Sequence, residues 1–88
     1  MYSYEIKPSL QKILKRLSKR DSLLYERVIN KIEEIAKADI EHYKNLRYDL
    51  KGEKRVHIGH FVLVFEFVKE RNEISFLDFD HHDRIYDV

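Results

Sequence analysis

No cysteine occurs in the chain, so neither a disulfide nor a thiolate metal site can support its fold. That absence suits a reducing compartment. Long apolar runs are lacking too, and nothing approaches the ~18 residues of a membrane-spanning helix. The opening residues, Met1-Tyr2-Ser3-Tyr4-Glu5, show neither the basic region nor the apolar stretch of a signal peptide. The expectation is a soluble cytoplasmic protein without membrane contact. No repeat, linker or low-complexity stretch divides residues 1–88, so a single domain is expected.

What is present is apolar residue enough for a packed core, 43%, under an unusually ionic surface, 38% charged. A chain of 88 residues buries only about two-thirds of its unfolded surface, so that core should be thin. The net charge of +1 conceals strong segregation. Residues 1–20 hold six Lys/Arg against Glu5 alone, and residues 44–60 hold five against two acids, with His57 and His60 besides. Residues 21–43 and 61–88 are acidic in balance. The two basic blocks are compatible with phosphate binding, and equally with helical charge that keeps a small protein soluble.

Tyr2 to Ile6 alternates aromatic or branched residues with polar ones and reads as a strand. Pro8 suits the first turn of a helix, where its missing N–H is not needed. Leu10, Ile13, Leu14 and Leu17 then form one helical stripe, with Lys12, Lys15, Arg16 and Lys19 opposite. Asp21 is a good N-cap for a second helix. Its stripe is Leu24, Val28, Ile32 and Ile35, widened by Leu23, Ile29 and Ala36. Asp39 to Leu50 has no clean period and reads as irregular, and Gly52 marks a turn. From Arg55 the chain alternates again, Val56 and Ile58 opposing Arg55 and His57. Gly59-His60 reads as a tight turn, Phe61–Val68 as a central strand, Lys69 to Asn72 as a hairpin turn and Ile74–Asp80 as a last strand. The expected fold is α+β, in the order βααβββ, with a mostly antiparallel sheet. The helical hairpin should cover the Phe61/Leu63/Phe65/Phe67 face. Val62, Val64 and Glu66 should share a second, partly polar face with Arg55 and His57.

Leu50-Lys51-Gly52, followed by Arg55-Val56-His57-Ile58-Gly59-His60-Phe61-Val62-Leu63-Val64-Phe65, resembles the central segment of RelE toxins. In that superfamily a Leu-Lys-Gly turn precedes a basic strand, a glycine turn and an aromatic-Arg-aliphatic strand. The end, Asp80-His81-His82-Asp83-Arg84-Ile85-Tyr86, resembles the closing Gly-His-Arg…Val-Tyr. The resemblance implies a ribosome-dependent endoribonuclease that cuts messenger RNA without a metal or other cofactor. It also implies a RelB-like antitoxin as partner, in a toxin–antitoxin hetero-oligomer. Carried over by position, the family's working residues are Arg55, His57, His82 and Tyr86. Val62 stands where the family has a central-strand arginine, His82 where it has the closing arginine, and Asp80 where it has glycine. Arg84, two residues along the same tail, is a candidate for the missing cation.

The residue chemistry agrees with this. RNA carries its own nucleophile in the 2′-OH, so cleavage requires removal of that proton, stabilisation of the charge gathering on phosphorus, and protonation of the departing 5′-oxygen. Histidine, titrating near pH 6.5, serves as acid or base. Guanidinium grips two phosphate oxygens and stays charged. Two roles are open to Tyr86, packing the C-terminus onto the sheet or touching RNA. Arg84 could equally pair with Asp80, Asp83 or Asp87. Lys44, Arg47, Lys51 and Lys54 are candidate phosphate contacts or solubilising charge. A metal site built on His57, His60, His81, His82 and Asp83 is disfavoured, because adjacent His81 and His82 on a strand point to opposite sides. Two other functions fit the same fold: a ParE-like toxin that inhibits DNA gyrase by binding, and a catalytically weakened protein-binding module.

Overall fold

A computed structural model describes residues 2–37 and 53–86, with the backbone alone for Lys69 and Tyr86. Strand β1 (Ser3–Ile6) leads into helix α1 (Pro8–Arg20) and helix α2 (Ser22–Lys37). Strands β2 (Glu53–Ile58), β3 (Phe61–Val68) and β4 (Glu73–His81) follow, and helix α3 (His82–Tyr86) closes the chain. The irregular segment expected from Asp39 to Leu50, and the Gly52 turn, lie outside the described residues.

The helices begin and end for local reasons. Pro8 opens α1, and the Gln11 side chain donates to the Ile6 carbonyl at 2.8 Å, holding the preceding turn. Lys19 and Arg20 in the last turn complement the dipole there. Asp21 alone separates the two helices. Its N–H donates to the Leu17 carbonyl at 2.8 Å, while its Oδ1 accepts the Leu24 N–H at 3.1 Å. The same residue thus ends one helix and caps the next.

The described strands form one sheet in the order β1-β4-β3-β2. β2–β3 and β3–β4 are antiparallel hairpins, whereas β1 lies parallel to β4, with Ser3 opposite Glu73 and Ile6 opposite Phe76. Gly59 takes φ +62° in the β2–β3 turn, a conformation that suits glycine. Between Val64 and Phe65 the register with β4 shifts: Val64 faces Asp78 but Phe65 faces Phe76, leaving Leu77 over. Phe76 and Phe79 stand an odd number of residues apart and would point to opposite faces of a regular strand. The extra residue turns both into the core, where they are 0% and 3% exposed.

That core lies between the hairpin and one sheet face. Leu10 and Leu14 of α1 and Val28, Ile32 and Ile35 of α2 pack with Leu63, Phe65, Ile74, Phe76 and Phe79. Ile13, Leu17, Leu24 and Ile29 border it, half-buried, and Ala36 is fully buried. Leu23, expected to widen the α2 stripe, does not: it is 73% exposed in the first turn, beyond the arc facing the sheet.

The second face departs further from expectation. Val62 and Val64 are buried, packed with Leu77 and with Ile85 of α3. The polar tail therefore folds into a short helix whose one aliphatic side chain closes over the valines. Five residues are too few to display a helical period, so only the tertiary contact reveals this element. Among the described residues, no helix is long and apolar enough to cross a membrane.

Candidate active site

The β2 alternation sets Arg55 and His57 on the face away from Val56 and Ile58, opposite Val64 and Val62 respectively. His81 ends β4 in register with Phe61 across the sheet. One residue on, the His82 N–H donates to the His60 carbonyl at 2.9 Å, fastening the start of α3 to the β2–β3 turn. The imidazoles of His57 and His82 consequently stack, with centroids 5.6 Å apart and planes inclined by 29°. His60 and His81 form a second, looser stack at 6.3 Å, and His81 also stands edge-on to Phe61. The adjacent His81 and His82 thus diverge toward different neighbours.

Asp83 lies beside both rings, its carboxylate oxygens 3.7 Å from His81 Nδ1 and 3.6 Å from His82 Nδ1. The Asp83 N–H donates to His81 Nδ1 at 3.2 Å, which places a lone pair on that nitrogen. The carboxylate is largely exposed, so its electrostatic influence on the two rings is screened and small. Among the described residues no group of three or more His, Asp or Glu converges in a way that could hold a metal ion.

The other expected site residues are distributed unevenly. Arg55 shares its strand face with His57, two residues away. Lys54 projects from the opposite face of β2 and is not gathered with them. Arg84 is directed elsewhere, its Nη1 lying 3.8 Å from Asp80 Oδ1 in a cleft with Arg16 and Arg20. Tyr86 ends α3, and its side chain lies outside the described set, as do Lys44, Arg47 and Lys51. His57 also borders a shallow cleft along the β2 edge with Arg27, Asn30, Lys31 and Glu34 of α2.

One feature escaped sequence reasoning. Glu53 and Glu66 face each other across β2 and β3, on the same side as Arg55 and His57. Partial burial of Glu53, reinforced by the negative charge of Glu66, pushes its carboxyl above the ordinary glutamate value. Such a carboxylate is a stronger base than an exposed one. No local motif announces the pair, because it exists only through strand register.

Imidazoles and a guanidinium thus stand at the junction of an antiparallel hairpin and a closing helix, on a sheet backed by two helices, in a small α+β protein. Comparison with known proteins gives its class, that of a toxin. Residues 4–86 match the family model described as ParE toxin of the type II toxin–antitoxin system parDE. A protein bearing the RelE4 toxin name in Methanocaldococcus jannaschii is 52% identical over 87 residues, covering 98% of this chain and 92% of the relative. The isolated E. coli RelE toxin superposes with a TM-score of 0.75 at 17% identity, covering 92% of this chain and 84% of that one. The toxin–antitoxin complex RelBE2 of Mycobacterium tuberculosis gives 0.73 at 20% identity, with 92% and 91% covered. The chain belongs to the RelE/ParE family of type II toxins.

Proposed function

We propose that this toxin is a ribosome-dependent endoribonuclease that cuts messenger RNA by activating the RNA's own 2′-OH, acting in the cytoplasm as a single domain. The observation that carries the reading is the His57–His82 stack, which brings two acid–base groups from distant segments within reach of one phosphodiester. Arg55 flanks them on the same strand face.

In the proposed step His57 accepts the 2′-OH proton, and the freed oxygen attacks the adjacent phosphorus. Arg55 offsets the added negative charge on the non-bridging oxygens. His82 donates a proton to the departing 5′-oxygen as the P–O bond breaks, leaving a 2′,3′-cyclic phosphate and a 5′-hydroxyl. Acid–base assistance of this kind supplies about 10²- to 10⁴-fold, and positioning of the strand supplies much of the rest. Tyr86 is proposed as a further contact to an RNA base.

An antitoxin of the RelB kind is the proposed partner, in a hetero-oligomer that masks the toxin. The family membership supports it, as does the solved complex of the similar M. tuberculosis pair. One alternative has specific support. The matching family model is that of ParE, and the position of the RelE central arginine is occupied by Val62, which is fully buried. These favour gyrase binding without RNA cleavage.

A translating-ribosome assay separates the readings. Cuts at defined A-site positions, absent without ribosomes, are the expected result. DNA breaks that require gyrase, with intact transcripts, would replace this reading by the second, and neither product would leave a non-catalytic binding module.

A further inference from the structure

β1 pairs with β4 only from Glu73 to Phe76, so among the described residues no strand lies beside the last part of β4 on that side. There α1 passes over the sheet and α3 bounds the end, enclosing an open cleft of about 250 Å³. Arg16 and Arg20 from α1 and Arg84 from α3 line it, beside Phe61, Phe79 and Asp80. Arg16 and Arg20 stand four residues apart, about 6 Å along the axis, on one side of α1. Three guanidiniums thus face a single carboxylate. That carboxylate is already engaged, since Asp80 Oδ1 accepts the His81 N–H at 2.7 Å. The Arg84–Asp80 pair, 3.8 Å apart with the arginine 79% exposed, is weak enough to exchange for another anion.

We propose that Arg16, Arg20 and Arg84 bind the phosphates of a single RNA strand, with Phe61 at the mouth of the cleft contacting a base. This deepens the RNA reading above and rests on it, adding a backbone contact away from the reacting imidazoles. Guanidinium binds phosphate through two parallel hydrogen bonds, and an aromatic ring beside a cationic groove suits a single strand. A peptide adding as a strand is disfavoured by the edge itself. The Phe79 and His81 N–H groups are taken by Asp78 Oδ1 at 2.8 Å and Asp80 Oδ1 at 2.7 Å, so the amides an added strand would need are occupied.

The test is fluorescence anisotropy of a 2′-O-methyl RNA oligomer, which cannot be cleaved, titrated across a salt series. Each lost phosphate contact should lower the slope of log affinity against log salt by about 0.7. Arg84→Gln should therefore reduce it by about 0.7, and Arg16→Gln with Arg20→Gln by about 1.4. Lys12→Gln with Lys15→Gln has the same net charge as the latter pair but lies outside the cleft, and should leave the slope near that of the wild type. Equal losses in the two double variants would mean diffuse charge attraction and overturn the proposal. So would unchanged slopes in the arginine variants, or an acidic peptide binding in an arginine-dependent way where the oligomer does not bind. Arginine-dependent oligomer binding without ribosomal cleavage would sink the endonuclease reading and leave the cleft standing. Cleavage with arginine-independent slopes would do the reverse.

Discussion

The rings of His57 and His82 lie 5.6 Å apart because the His82 amide is bonded to the His60 carbonyl, just past the end of β2. A backbone bond thus positions a side-chain pair. The short helix α3 contributes Ile85 to the valine face at the same time as it presents His82. Folding of the tail and assembly of the site are therefore one event.

His82→Ala and Arg55→Ala should each slow ribosomal cleavage by about 10²-fold or more, through loss of proton donation and of phosphate stabilisation respectively. His82 is half-exposed, so its removal should move the melting temperature only slightly. Quantified transcript ends beside a thermal melt of each variant provide the check. Wild-type cleavage in both would place the chemistry elsewhere.

Restoring the family's central-strand arginine should fail. Val62 is fully buried beneath Ile85 and Leu77, so Val62→Arg sets an unpaired charge in an apolar layer. A loss of about 3–5 kcal/mol is expected, the range for an uncompensated buried charge. Urea denaturation should show the midpoint falling, with no gain in cleavage. An unchanged midpoint would mean that α3 does not hold the valine face closed.

Glu53→Gln should stabilise the protein at neutral pH. The folded-state pKa of Glu53 is raised, by burial first and by Glu66 second. The native state therefore holds this proton more tightly than the unfolded chain does. The associated stability is fully present below the unfolded value near 4.5 and is lost as pH rises through the higher folded value. At pH 7 the ionised carboxylate is a liability that the amide removes. Melting curves should favour the variant at pH 7, and the advantage should disappear below about pH 4. An equal gain at both pH values would show that charge is not the cause.

The paired helices, the main hairpin and the face that β3 turns toward the core can all be read along the chain. Each follows from residues close together in sequence: Pro8 and Asp21 as boundaries, the Leu10/Leu14 and Val28/Ile32/Ile35 stripes, Gly59 in its turn, and the alternation from Phe61 onward. Other features needed distant segments to meet. The parallel pairing of β1 with β4, the bulge that turns both Phe76 and Phe79 inward, the closing of α3 over Val62 and Val64, the facing of Glu53 with Glu66, and the parting of Arg84 from His82 leave no local pattern. Hydrophobic period and turn chemistry act over a few residues, so sequence carries them openly. Strand register and the docking of a five-residue helix depend on the shape of surfaces that exist only once the chain has folded.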